Sequence, residues 1–303
     1  MSATQPLVRA AGLGDRLFAA FQAGLPTRAL SRTAFSIAQI RAPRFKNALI
    51  RWFVRRYRVD LTEAERSRID DYEHFNAFFT RALRAGARPQ PEDPRAFASP
   101  VDGSLSQIGS IHAGLLLQAK GHRYGSAELL GDPQLAAEFR DGSFCTLYLS
   151  PRHYHRVHMP ASGRLRRWGY VPGRLFSVNP ATARAMPRLY ARNERMVAIF
   201  DCAFGPLAVV MVGALLVGGI ELVWHGRLTP PHRREAAPSF YEPMQPLFLP
   251  RGVELGRFHL GSTVILLAPA GALNWDGELA PGREVRVGQP LATMARWQTP
   301  EAI

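Results

Sequence analysis

The sequence is poor in cysteine, and it lacks the segment that would export a protein. Cys145 and Cys202 are the two cysteines among 303 residues, which excludes a disulfide framework and gives no cysteine pair of the kind that holds zinc. The N-terminus has no apolar stretch followed by a small-residue cleavage site, so we expect no export. A reducing compartment fits both observations.

One uncharged stretch, residues 202–220, has nearly the length of a transmembrane helix. Gly205 and Pro206 interrupt it, Asp201 and Glu221 bracket it, and its valines favour strands. We therefore predict two buried strands joined by a turn, and no membrane span.

Positive charge is abundant, and most of the net excess lies near the N-terminus. The net charge is +14, and residues 1–58 hold eleven arginines and lysines against one acidic residue. Such a region serves nucleic acid or an anionic membrane. Phe45, Leu49, Trp52 and Phe53 recur at helical spacing with arginines on the opposite side, which favours a membrane interface over nucleic acid. A helix packed on its own domain is the alternative.

Residues 1–90 form a predicted helical, basic, membrane-associating region. A second apolar cluster at residues 17–21 predicts another interfacial helix, Asp60 marks a helix start, and residues 72–83 continue in a helical period. From residue 91 to 303 we predict a β-rich catalytic domain, because short β-prone runs alternate with Gly and Pro turns. The predicted fold class is α+β, with a mostly antiparallel β core.

The individual elements of this core are also predicted from the pattern. Strands are expected at 104–108, 115–119, 144–149, 165–171, 196–200, 208–212 and 215–224, and helices at 126–130 and 135–140. A proline-rich loop is expected at 229–250, and a closing β-hairpin with a turn at 288–290 is expected at 282–292.

A Gly-Ser pair near the C-terminal end carries the most specific chemistry. The hydroxyl of Ser262 can attack the preceding carbonyl of Gly261 and turn the amide into an ester if a base removes its proton. Glycine permits the strained turn that this attack requires. A base and an orienting acid are available in two other segments, the histidine-rich run 153–158 and the loop that contains Asp102.

Taken together, these segments resemble the bacterial phosphatidylserine decarboxylases, a family of self-processing pyruvoyl enzymes. The resemblance runs from about residue 45 to about residue 293. The matching motifs are Phe75-Asn76-Ala77-Phe78-Phe79, Pro100-Val101-Asp102-Gly103, Gln118-Ala119-Lys120-Gly121-His122, Tyr148-Leu149-Ser150-Pro151-Arg152, Tyr154-His155-Arg156-Val157-His158-Met159-Pro160, Leu175-Phe176-Ser177-Val178-Asn179, Asn193-Glu194-Arg195 and Leu260-Gly261-Ser262-Thr263.

The resemblance implies a role for each site residue. Ser262 is the nucleophile and then the precursor of the pyruvoyl group, which forms a Schiff base with the substrate. His158 activates Ser262, and Asp102 orients His158 and stabilises its charged form. His155 assists decarboxylation by protonating the substrate Cα. The run Phe176-Ser177-Val178 resembles the substrate-lining segment.

The same resemblance implies the reaction and its setting. The chain would cut itself into a β chain of residues 1–261 and an α chain of residues 262–303, which stay associated. It would then convert phosphatidylserine to phosphatidylethanolamine and CO2 at the cytoplasmic face of the cell membrane, bound peripherally to the anionic surface. The oligomeric state stays open, with a homodimer as one option, and no nucleic acid partner is expected.

Other cofactors are expected to be absent. Decarboxylation of an amino acid needs an electron sink, and pyridoxal phosphate would need a lysine. The chain has Lys46, in the amphipathic helix, and Lys120, which stays open as a candidate. A metal cluster of His153, His155 and His158 is disfavoured because His158 would lie on the opposite face of a strand.

Two other functions fit part of the pattern. A serine hydrolase could use Asp102, His158 and Ser262 as a triad, but the sequence lacks the Gly-x-Ser-x-Gly elbow and its serine leads into a strand. A membrane adaptor with a vestigial site is the second. A relative that acts on another serine-containing phospholipid is also open, as is the choice between phosphate contacts and solvated charges for Arg152 and Arg156.

Overall fold

A computed structural model of the protein describes residues 10–119, 121–216, 219–229, 237–259 and 262–296. The helices are α1 Leu13–Gly24, α2 Thr27–Ala38, α3 Pro43–Tyr57, α4 Phe75–Phe79, α5 Ser126–Leu130, α6 Pro133–Ala137, α7 Pro180–Ala185 and α8 Leu189–Arg192, and a 3-10 turn covers Ile69–Asp71. No helix within these ranges is long and apolar enough to cross a membrane.

The strands form antiparallel sheets. They are β1 Ala96–Ala98, β2 Gly103–Ser110, β3 Leu115–Ala119, β4 His122–Gly125, β5 Ser143–Leu149, β6 Arg156–His158, β7 Gly163–Val171, β8 Arg195–Cys202, β9 Gly205–Val212, β10 Ile220–Leu222, β11 Gly226–Arg227, β12 Ser239–Tyr241, β13 Phe248–Leu249, β14 Glu254–Phe258, β15 Ser262–Ala268, β16 Leu273–Trp275, β17 Glu284–Val285 and β18 Pro290–Met294.

A nine-stranded sheet forms the centre of the fold. Its order is β12-β7-β8-β9-β15-β5-β2-β17, and β13 also pairs with β7. Every residue of β15 is buried. Val264 and Leu266 belong to one apolar cluster, whereas Ile265 and Leu267 belong to the other. This alternation places one hydrophobic core on each face of the sheet.

The N-terminal helices are attached to this body by specific contacts. Phe53 of α3 packs edge-on against Phe75, Phe78 and Phe79, with ring centroids 5.1–5.9 Å apart. Gln22 of α1 donates to Thr182 Oγ1 of α7 at 3.1 Å. The α+β class and the helical start of the chain are therefore confirmed.

Most predicted strands are confirmed within a few residues, and β3 and α5 have the predicted bounds. The helix start at Asp60 is wrong, because its carboxylate accepts hydrogen bonds from the backbone and hydroxyl of Thr62 and closes a local turn. The helix over 72–83 shrinks to α4, and the strand over 215–224 shrinks to β10.

Two predictions for the C-terminal part are also wrong. Residues 282–292 are no hairpin, because β17 pairs with β2 and β18 pairs with β1 and β16 in a different sheet. The region 229–250, predicted as a loop, contains β12 and β13, both of which extend the edge of the main sheet along β7; residues 230–236 lie outside the described ranges.

The candidate site lies at one end of three neighbouring central strands of the sheet. In β5, Leu149 pairs with Ser262 on one side and Tyr148 pairs with Ser104 on the other. β2 and β15 therefore run in the same direction, and both begin at the same end of the sheet. Asp102 directly precedes β2, so it lies at the end of the sheet where Ser262 is the first residue of β15.

Candidate active site

Ser262 occupies the first position of β15 and is fully buried. Its Oγ has no hydrogen-bond partner among the described residues. A buried hydroxyl without a partner costs about 1–3 kcal/mol, and Thr263 shares this condition, so the position of Ser262 after Gly261 is what distinguishes it. The arrangement fits a side chain that reacts and is converted into another group. Gly261, the predicted carbonyl side of the cleavage site, lies outside the described residues.

His158 ends the short strand β6, and its backbone N–H donates to Pro100 O at 2.8 Å. The ring is held at both nitrogens. Nδ1 donates to Gly252 O at 2.8 Å, and Nε2 accepts from the hydroxyl of Tyr154 at 3.0 Å. Burial lowers the pKa of His158, although the hydrogen bond to Gly252 opposes this. The imidazole is therefore neutral near pH 7 and has the lone pair of a general base on Nε2.

Asp102 has other partners than the predicted one. Its carboxylate binds the guanidinium of Arg88, with Nε to Oδ1 at 2.9 Å, and Oδ1 also accepts from Val287 N at 2.9 Å. No hydrogen bond joins Asp102 to His158 in the described part of the chain, where the ring of His158 is oriented by Gly252 and Tyr154. The backbone bond to Pro100, two residues before Asp102, still ties the two segments together.

His155 is completely buried. Its Nδ1 donates to His153 O at 2.8 Å, and its ring centroid lies 4.0 Å from that of Phe79. Nε2 is buried and has no hydrogen-bond partner in the described ranges. Burial, followed by the positive charge of Arg81, lowers the pKa of His155 well below its usual value. The structure therefore presents a neutral imidazole with a free lone pair.

The predicted substrate-lining run lies deeper in the fold. Phe176 and Val178 are buried in the apolar cluster on the α1 side of the sheet, and the backbone N–H of Ser177 donates to Gln22 Oε1 at 2.7 Å. Leu215 N, just beyond β9, donates to Phe176 O at 3.3 Å. Since β9 neighbours β15, the run lies near the start of β15, and among the described residues no hydrogen bond or ring contact joins it to His155 or His158.

The alternative roles meet specific obstacles. His153 binds Glu284 at 2.9 Å and Ser150 N at 3.0 Å, and the described residues contain no group of His, Cys, Asp and Glu that could hold a metal ion. Arg152 pairs with Glu284, and Arg156 pairs with Glu254. Lys46 Nζ donates to Asn47 Oδ1 and Asp70 O, and Lys120 lies outside the described residues.

One polar relay near the cleavage site was missed by sequence reasoning. His259 Nδ1 lies 2.7 Å from Asn76 Nδ2, and its Nε2 lies 2.8 Å from Glu221 Oε2. The three residues come from α4, from β10 and from the segment that leads to Ser262. Because they are far apart in sequence, only the position of His259 two residues before Gly261 could have drawn attention to them.

Comparisons with known proteins agree with this geometry. A family model described as phosphatidylserine decarboxylase matches residues 75–293, and a model described as PSD matches residues 17–58. The chain is 52% identical over 284 residues to the phosphatidylserine decarboxylase proenzyme of Pseudomonas entomophila. The aligned residues cover 93% of this chain and 99% of the relative. The proenzyme of Stutzerimonas stutzeri is 50% identical over 283 residues, covering 93% and 95%.

Proposed function

Because the chain belongs to the phosphatidylserine decarboxylase family, we propose that it converts phosphatidylserine to phosphatidylethanolamine and CO2 after cutting itself between Gly261 and Ser262. The observation that supports this most is the position of Ser262, which is buried at the first residue of β15 and has a hydroxyl that no described residue binds. Purified protein should show two fragments by intact mass and should form phosphatidylethanolamine from phosphatidylserine in detergent micelles. An uncut, inactive protein would contradict the proposal.

Self-cleavage needs a base that takes the Ser262 proton while Oγ attacks the Gly261 carbonyl. We assign this role to His158, because donation from Nδ1 to Gly252 O leaves the lone pair on Nε2. The hydroxyl of Tyr154 occupies that lone pair, so it has to turn away or pass the proton on. Asp102 acts at longer range, by fixing the loop before β2 and by favouring the imidazolium through its charge.

The two fragments should remain one folded unit. Cleavage before Ser262 leaves β15 with hydrogen-bonded neighbours on both sides, β9 and β5, which belong to the other fragment. All seven residues of β15 are buried. Separation would therefore expose a central strand, and its cost far exceeds that of releasing a surface segment.

Decarboxylation follows at the same place. The pyruvoyl group made from Ser262 supplies the electron sink that loss of CO2 from an amino acid requires. We assign to His155 the delivery of the proton that replaces CO2 at Cα. Each turnover consumes one proton from solvent. Since the Nδ1–H of His155 is held by His153 O, Nε2 is the atom that takes up this proton and then passes it to Cα. The buried surroundings of the ring keep water from competing for it.

We also propose that the N-terminal helices bind the anionic membrane surface that contains the substrate. Leu13, Leu17 and Phe21 follow one another at i, i+4 and i+8 along α1 and are 62–75% exposed. Trp52 of α3 is 56% exposed, and arginines surround it. An exposed apolar stripe with a basic border suits shallow insertion into an anionic interface.

Removal of this stripe should weaken membrane binding. The triple variant Leu13→Ser, Leu17→Ser and Phe21→Ser should bind anionic vesicles at least about tenfold more weakly, because burial of a large apolar side chain contributes about 1.5–3 kcal/mol when complete. Vesicle sedimentation measures this. The control is Leu115→Ser with Leu117→Ser, two exposed leucines of β3. Point substitutions are preferable to deletion of the N-terminal helices, because deletion would also remove Phe53 of α3, which packs in the core. Equal pelleting of the wild type, the triple variant and the control with anionic vesicles would disprove the membrane role of α1.

The hydrogen bonds of His259 with Asn76 and Glu221 should affect the rate of self-cleavage. His259→Phe keeps a ring but loses both hydrogen bonds, so the segment before Ser262 is held less firmly, and cleavage should slow by about 10–100-fold. Timed electrophoresis measures the rate. Activity per cleaved molecule should stay near that of the wild type, which separates positioning from catalysis. The exposed His112, replaced by alanine, is the control. Unchanged cleavage in His259→Phe would rule out the positioning role.

A further inference from the structure

A charged cavity of about 450 Å³ lies beside the candidate site. Asp102, His153 and Tyr154 form part of its lining, so it adjoins the residues to which the proposed function assigns chemistry. Three arginines that line it each have a carboxylate partner: Arg88 binds Glu63 and Asp102, Arg152 binds Glu284, and Arg286 binds Glu63. These pairs need no ligand for charge balance. A fourth carboxylate of the lining, Asp60, accepts hydrogen bonds from the backbone and hydroxyl of Thr62 and forms no ion pair with an arginine in the described residues.

Arg81 lines the same cavity and differs from the other three. It is 6% exposed, and no carboxylate lies within 4.0 Å of it in the described ranges. Its guanidinium makes one long hydrogen bond, from Nη2 to Arg152 O at 3.5 Å, and packs against the ring of Phe78. Nε is buried without any partner among the described residues. A buried cation with so few partners is costly to the fold.

Arg195 shows how a structural arginine is accommodated in this protein. It is buried as deeply as Arg81, yet its guanidinium donates to four backbone carbonyls, those of Leu129, Ala191, Asn193 and Glu128. Among the described residues, no such set of acceptors surrounds Arg81. The contrast leaves the buried donors of Arg81 available to an anion in the cavity.

The position of Arg81 relates this anion to the reaction. Phe79, two residues earlier, stacks on His155, and the charge of Arg81 is the largest influence on His155 after burial. Phosphatidylserine has two anionic groups near its Cα, the carboxylate and the phosphodiester. Only Cβ and one oxygen separate Cα from phosphorus, so an anchored phosphodiester would keep Cα within reach of His155.

We propose that Arg81 binds the phosphodiester of the phospholipid substrate in this cavity; the inference rests on the proposed function. A guanidinium bound to the carboxylate would stabilise the charge that has to be lost and would slow decarboxylation. The phosphodiester keeps its charge throughout, so the contact is equally strong before and after CO2 leaves. A planar guanidinium also matches two phosphate oxygens at once.

The test compares Arg81→Gln and Arg81→Lys with Arg95→Gln, which removes an equal charge from an exposed arginine paired with Asp93. For each cleaved protein, KM and kcat are measured with short-chain phosphatidylserine in neutral detergent, and Kd is measured with short-chain phosphatidylethanolamine, which has no carboxylate. Arg81→Gln should raise both KM and Kd about 10–100-fold, Arg81→Lys should raise both less, and Arg95→Gln should leave both unchanged. Self-cleavage should persist in all three.

The outcomes separate the alternatives. A rise in KM with unchanged Kd for phosphatidylethanolamine would mean that Arg81 binds the carboxylate, and no rise in either would mean that it is structural; both overturn the proposal. If Arg81→Gln does not fold, Arg81→Lys decides, because unchanged constants in that variant overturn the proposal as well. A wild type that turns over no substrate but binds phosphatidylethanolamine through Arg81 would support this inference and contradict the proposed function.

Discussion

Replacement of Ser262 by alanine should leave one uncut chain of 33.6 kDa that has no decarboxylase activity. Without the hydroxyl no ester can form at Gly261, and without cleavage no pyruvoyl group arises, so both activities vanish together. The loss should be complete rather than partial, because the proposed mechanism has no other electron sink. Intact mass and a phosphatidylethanolamine assay measure the two losses on the same sample.

Thr263→Val is the matched control for this experiment. Thr263 is also fully buried, and its hydroxyl also lacks a partner among the described residues. It follows Ser262 in β15, however, so its side chain points to the other face of the sheet. The control should still split between 261 and 262. Cleavage of Ser262→Ala, or fragments displaced by one residue, would assign the nucleophile to another residue.

The sequence predicts the sheet well where the pattern is local. β5, β7, β8 and β9 are β-prone runs bounded by turn residues, and each is predicted to within a few residues of its bounds. Prediction fails where a partner lies far along the chain. Residues 282–292 look like a hairpin, but Glu284 pairs with Ser104 and Ala292 pairs with Phe97, and no local signal reveals such partners.

The candidate site shows the same division. Ser262 and the two histidines stand in motifs that mark them directly, and in the structure Ser262 and His155 are fully buried whereas His158 is partly buried. The partners of Asp102 could not be predicted, because Arg88 lies in a segment that reads as the end of the helical region. Arg81, which lies within the predicted helix over residues 72–83, was also missed. Its proposed role rests on the few acceptors around its guanidinium among the described residues, which no motif encodes.

The two histidines should fail in different ways. His158→Ala should cut itself at least about 100-fold more slowly, because it loses the base on Nε2. His155→Ala should still cut itself but should decarboxylate at least about 100-fold more slowly, because the proton donor at Cα is gone. Electrophoresis measures the first defect, and product formation per cleaved molecule measures the second.

The pH profile of cleavage provides an independent readout of His158. Burial lowers the pKa of His158 from its usual value, and a base acts in its neutral form, so the cleavage rate should be constant at alkaline and neutral pH and should begin to fall at a lower pH than for an unperturbed histidine, near 6.5. His155→Gln should keep this profile, and the exposed His112→Ala should keep both profile and activity.

Loss of cleavage in both His155→Ala and His158→Ala, with unchanged thermal stability, would refute the division of labour between the two histidines. In that case His155 would act before Ser262 is converted, and its free Nε2 would have to be assigned to the first reaction.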